Sequence, residues 1–128
     1  MSLLPLHDRK HAMPQPQGHL IGFAASYSDC VEICHELTAA GFSDSDITIL
    51  RGDDGIHLFL RMMGDGMWGD LAKEFLRQGL VELDRGHCVI MIDVIDREQA
   101  LVAADLAIPM GGHGFTYFGH LVDEQLTQ

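Results

Sequence analysis

The sequence is short of positive charge, of cysteine and of long apolar runs, and each shortage removes a class of function. Lys and Arg number 8 against 19 Asp and Glu in 128 residues, for a formal net charge of −11. Sequence-independent nucleic-acid affinity comes mostly from Lys and Arg neutralising phosphates, so a nucleic-acid partner is not expected. Docking on anionic lipid is disfavoured for the same reason. The three cysteines, Cys30, Cys34 and Cys88, are an odd count without CxxC spacing. They read as small core residues in a reducing compartment, not as a disulfide framework. No stretch approaches the roughly 18 apolar residues that a bilayer span needs. The opening MSLLPLHDRKHAMPQPQGH lacks the apolar core of a signal peptide, so a cytoplasmic setting without a membrane partner is expected. HxH, HExxH and CxxC spacings are missing as well, so no metal ligand and no cofactor is assigned from spacing.

What is present is an ordinary globular composition, 47% hydrophobic and 21% charged, in a chain of one-domain length. Residues 1–18, rich in Pro and Gln, read as a flexible N-terminal arm. A single domain is expected over 19–120, with a helical insertion at 52–86 and a C-terminal tail at 121–128. Order begins at His19-Leu-Ile-Gly-Phe-Ala-Ala, an apolar run suited to a buried strand. Ser28-Asp29 is the expected N-cap of a helix through Val31, Ile33, Cys34, Leu37 and Ala40, with Gly41 as its stop. Asp46 to Arg51 alternates as a half-buried strand does. The pattern then returns: Cys88 to Val94 is a strand, Asp96 caps a helix from Arg97 to about Ile108, and Gly114 to Phe118 alternates. An offset of about 68 residues lays His19 on His87 and Ile47-Thr48-Ile49 on Phe115-Thr116-Tyr117.

Two β-α-β units in one small chain are the ingredients of an α+β domain of the ferredoxin-like split βαβ type. A four-stranded antiparallel sheet is expected, with the first and third strands central and the second and fourth at the edges. Within the insertion, Asp53 to Met63 reads as a helix with Ile56, Leu60 and Met63 on its apolar face. A second runs from Trp68 to about Leu83, with Leu71, Phe75 and Leu76 as its stripe and Gly79 as an expected break. Cys88, Ile90, Ile92 and Val94 alternate with Val89 and Met91, so the third strand is apolar on both faces. Two crossover helices cover one face only. The other must meet the insertion, a second subunit or both, and a homodimer is expected on that ground.

The run Tyr27-Ser-Asp-Cys-Val-Glu through Ala40-Gly-Phe-Ser-Asp-Ser-Asp-Ile-Thr-Ile-Leu resembles the opening of bacterial general stress proteins of the heat-induced YflT type. Glu74-Phe-Leu-Arg-Gln-Gly-Leu, Gly86-His-Cys-Val-Ile-Met and the closing Phe118-Gly119 resemble them too. The likeness covers roughly residues 20–120 and rests on fold-forming positions. It implies a small bacterial α/β domain with no established reaction. The insert Met62-Met63-Gly-Asp-Gly-Met-Trp68 and the histidine-bearing tail depart from that pattern.

Eight histidines offer the richest supply of site chemistry. In a split βαβ sheet the third and fourth strands start at the end where the first and second finish. His87 and His113 stand at those two starts, and Arg51, Asp53 and Asp54 follow the second strand. The five can converge into a polar rim that binds a metal, an anion or a small molecule, although strand ends are polar in any case because they are wet. His19 and His120 belong to the opposite end. Cys30, Cys34 and His35 do not make a thiol–imidazole pair, because neighbours i and i+1 diverge on a helix and a buried thiol is inert. Gly111-Gly112-His113-Gly114 and Gly64-Asp-Gly66 read as turns, and Met62, Met63, Met67 and Trp68 as packing of the insertion. Three functions follow. The first is a non-enzymatic, stress-associated or regulatory module that dimerises. The second is a small-molecule or metal-binding domain using the histidine rim, and the third a small barrel-type enzyme with one histidine as acid or base.

Overall fold

A computed structural model describes residues 18–64, 70–119 and 123–126. The sheet consists of β1 (His19–Ala24), β2 (Ile47–Arg51), β3 (Cys88–Asp93), β4 (His113–Phe118) and β5 (Asp123–Gln125). Four α-helices accompany it among the described residues: α1 (Tyr27–Ala39), α2 (Gly52–Gly64), α3 (Asp70–Asp84) and α4 (Arg97–Ala107). None of them is long and apolar enough to cross a membrane.

The strand order is β2-β3-β1-β4-β5, antiparallel throughout, with β1 and β3 in the interior. This is an α+β open sheet compatible with the ferredoxin-like expectation, with two corrections. Among the described residues there are five strands, not four, and β4 is not an edge, because Asp123–Gln125 pairs along it. Those three residues lie in the stretch expected to be a tail, and as Asp-Glu-Gln they carry no apolar alternation to announce a strand.

Each central strand is apolar on both faces because both faces are covered. Leu20, Ala24, Cys88, Ile90 and Ile92 pack with Cys30, Ile33 and Leu37 of α1 and with the small residues Ala100, Ala103, Ala104 and Ala107 of α4. On the other face, Ile21, Phe23, Val89 and Met91 pack with Phe59 of α2 and with Phe75, Leu76 and Leu83 of α3. The inserted helix pair therefore closes the second layer. Val89 and Met91 are buried within this one chain, so the ground for expecting a second subunit on that face is gone.

Local details correct the sequence reading at several points. Ser26, not Ser28-Asp29, caps α1, its hydroxyl accepting from the Asp29 amide at 3.1 Å. Asp96 caps α4 as expected, accepting from the Gln99 amide at 2.9 Å. Gly79 does not break α3. A Cβ there would stand 2.7 Å from the Phe59 ring, so the missing side chain lets the inserted helices close on one another. Phe59 is consequently the buried anchor of α2, while Leu60, expected on its apolar face, is 50% exposed. The side chains of Met63 and Leu71, the Met67-Trp68 pair and His120 lie outside the described residues, as do Asp65 and Gly66 of the expected turn.

Candidate metal centre

Two backbone devices bring three side chains to the end of the sheet where β3 and β4 begin. The first is the C-terminus of α3. Gly86 takes φ +83°, the Gly86 amide donates to the Leu83 carbonyl and the His87 amide donates to the Glu82 carbonyl, each at 3.0 Å. This pair of reversed bonds is a Schellman motif, which needs Gly at its left-handed position. It folds His87 back over the last turn of α3, beside Glu82.

The second device is a β-bulge in β4. Ile21 pairs with Thr116, but Phe23 pairs with His113, so β4 carries one extra residue between those pairs. Gly114, at φ +66°, lies within the bulge. Strict alternation from Thr116, on the face of α3, would send His113 to the opposite face. The extra residue restores His113 to the α3 side, where its ring lies 6.1 Å from Phe23 and 5.9 Å from His87, centroid to centroid.

The three groups meet on one oxygen. Glu82 Oε1 lies 2.6 Å from His87 Nδ1 and 2.9 Å from His113 Nε2. The ligand atoms of Glu82, His87 and His113 all fall within 4.8 Å of one another, close enough to hold a metal ion. Glu82 is only 8% exposed, and it stands in the last turn of a helix that has no basic residue there. The negative end of the helix dipole opposes a carboxylate at that position. Burial alone would raise its pKa, but hydrogen bonds and charge from His87 and His113 outweigh burial and hold it below its ordinary value. His113 also turns Nδ1 towards the Gly111 carbonyl at a long 3.5 Å, a direction that leaves Nε2 for the shared site.

Of the five rim residues expected from sequence, the fold joins His87 to His113 and leaves the other three apart. Arg51 stacks its guanidinium over the Tyr27 ring at 4.1 Å. Asp53 and Asp54 occupy the exposed first turn of α2, where carboxylates suit the dipole. Among the described residues, none of these three bonds to Glu82, His87 or His113. His19 sits at the far end of the sheet, 2.8 Å from Asp93. Burial is the main reason the Cys30 thiol is pushed up to about 12, with Cys88 beside it adding to the shift, so this thiol is a packing group and not a nucleophile.

Sequence reasoning missed Glu82. A signal was present in the spacing Glu82–Gly86–His87, which is that of a helix closing by a Schellman motif and returning its next side chain to the last turn.

Fold and site together define a small α+β open-sheet domain with a Glu-His-His cluster at one end. Comparison with protein-family models, characterised proteins and solved structures gave no match.

Proposed function

We propose that this chain is a metal-binding domain holding one divalent transition-metal ion between Glu82, His87 and His113. The observation that carries the reading is the convergence of two imidazole nitrogens, from the starts of two different strands, on one buried carboxylate oxygen. Imidazole and carboxylate together suit zinc, iron, cobalt or nickel, whereas calcium and magnesium favour all-oxygen shells. Nitrogen and oxygen ligands about 2.0–2.2 Å from zinc stand roughly 3.3–3.5 Å apart in a tetrahedron. The present spacings of 2.6 and 2.9 Å reach that by opening about 0.7–0.9 Å and about 0.4–0.6 Å. A carboxylate held ionised suits the role, because metal ligands must be deprotonated.

The four-strand core β2-β3-β1-β4 supports a ferredoxin-like reading of the fold, with the inserted helices and β5 as additions. The reading as a non-enzymatic, stress-associated or regulatory module that dimerises gains no observation from the site.

Titration calorimetry with Zn2+ at neutral pH, on protein stripped by chelator, tests the proposal. One equivalent is expected to bind, and Glu82→Gln and His113→Ala should each weaken binding at least tenfold. Absence of saturable binding to the unaltered chain sinks the proposal and leaves the cluster as a hydrogen-bonded tie between α3 and the sheet.

A further inference from the structure

The centre has three protein ligands, and its two imidazoles lie near the surface. The side chains of His87 and His113 are 25% and 34% exposed, while that of Glu82 is 11% exposed. The carboxylate closes the inner side and the outer side meets water. A zinc-like ion takes four ligands or more, so at least one position falls to a molecule from solvent. Two neutral imidazoles and one carboxylate around a divalent ion leave a net charge of +1, which favours an anionic oxygen donor.

A groove of about 500 Å³ lies between α3 and the β4–β5 side of the sheet. That volume falls within the usual range of small-molecule sites. Its lining includes Val81, next to Glu82 in the chain, and Gln78, one helical turn before it. At 1.5 Å per residue, Gln78 stands about 6 Å from Glu82 along α3. A Cβ added to Gly114, the neighbour of His113, would lie 3.0 Å from Gln78 Nε2, so Gln78 adjoins both groove and cluster. On the sheet side the groove meets Thr116, which is 3% exposed and whose hydroxyl has no hydrogen-bond partner among the described residues. Buried polar groups nearly always have a partner, and this one borders the groove. At the rim, Glu74 and Arg77 pair at 2.6 Å and cancel each other's charge.

Resting on the metal-binding reading, we propose that the centre binds a small hydroxyl-bearing carboxylate, its carboxylate on the metal and its hydroxyl on Thr116. Binding is a ligand exchange: a carboxylate oxygen takes the open position and one metal-bound water leaves, with no bond made or broken inside the ligand. The sheet register sets the reach: His113 and Thr116 pair with Phe23 and Ile21, two residues apart on β1, so the two ends of the molecule lie roughly 6–7 Å apart.

Cobalt(II) reports both steps, because its visible absorbance follows its coordination shell. Protein loaded with Co2+ is titrated with acetate and with 4-hydroxybutyrate. Both are expected to shift the band saturably, 4-hydroxybutyrate about fivefold more tightly, the worth of one hydrogen bond. Thr116→Val should remove that advantage while leaving acetate unchanged, since an unpartnered buried hydroxyl is replaced by a methyl of similar shape. A protein that develops no cobalt band overturns the metal-binding reading and this proposal together. A band that neither anion moves leaves the metal centre standing and overturns its open position. Equal affinity for the two anions, or an advantage that survives Thr116→Val, overturns the part assigned to the groove.

Discussion

Replacing Gly114 by Ala tests whether the bulge in β4 is what aims His113. Two penalties add at this residue. Its φ of +66° is left-handed, which a Cβ disfavours by about 1–2 kcal/mol. The new Cβ would also stand 2.9 Å from the Phe23 ring and 3.0 Å from Gln78 Nε2, and overpacking of this kind costs about 1–3 kcal/mol. Alanine's lower entropy in the unfolded chain returns about 0.4–1 kcal/mol. The net loss is therefore about 2–4 kcal/mol. Gly41→Ala is the control, since Gly41 has φ +107° but nothing within 4 Å of a built Cβ. It should lose only about 1 kcal/mol. Urea denaturation measures both, and with a slope of about 1–3 kcal/mol/M the Gly114 variant's midpoint should fall by about 0.7–4 M. Zinc affinity should fall with Gly114→Ala and stay unchanged with Gly41→Ala. Equal destabilisation of the two variants, or full zinc affinity in Gly114→Ala, would refute the bulge argument.

Two further outcomes are expected. Glu82 is held below its ordinary value of 4.5, so its ionised form stabilises the fold at pH above that value, and the contribution disappears as pH falls through the lowered one. The stability gap between the unaltered chain and Glu82→Gln, measured without metal, should accordingly be constant near neutrality and close in acid; a gap that widens in acid contradicts the sign. Phe59→Ala, which empties the side chain filling the notch at Gly79, should cost about 3–5 kcal/mol, and a loss under 1 kcal/mol would show that the inserted helices are not part of the core.

The central strands were legible because Leu20 to Ala24 and Cys88 to Ile92 are apolar at every side-chain-bearing position, as strands covered on both faces are. The layer that covers the second face was harder to read. Helical periodicity selects Leu60 as readily as Phe59, and only the notch at Gly79, on a different helix, decides between them. The same holds at the site. His87 and His113 could be placed at strand starts by counting. Glu82, on a helix carrying Glu74, Arg77 and Gln78 on its exposed positions, looks like one more solvated charge until the chain is closed upon it. Alternation along β4 points His113 to the wrong face, because a bulge is defined by the partner strand and leaves only a glycine in the sequence.

The pairing of β1 bears on the order in which the chain can acquire structure. Its two neighbours are β3 and β4, which begin 69 and 94 residues after it. Made at about 5–20 residues per second, the chain emerges with its most apolar strand roughly 3–14 s ahead of the first of those partners and 5–19 s ahead of the second. Local contacts of α1 and of the inserted helices can form in that interval, but the sheet cannot. A nascent chain stalled before β3 holds Leu20, Ile21 and Phe23 without the strands that flank them in the finished sheet.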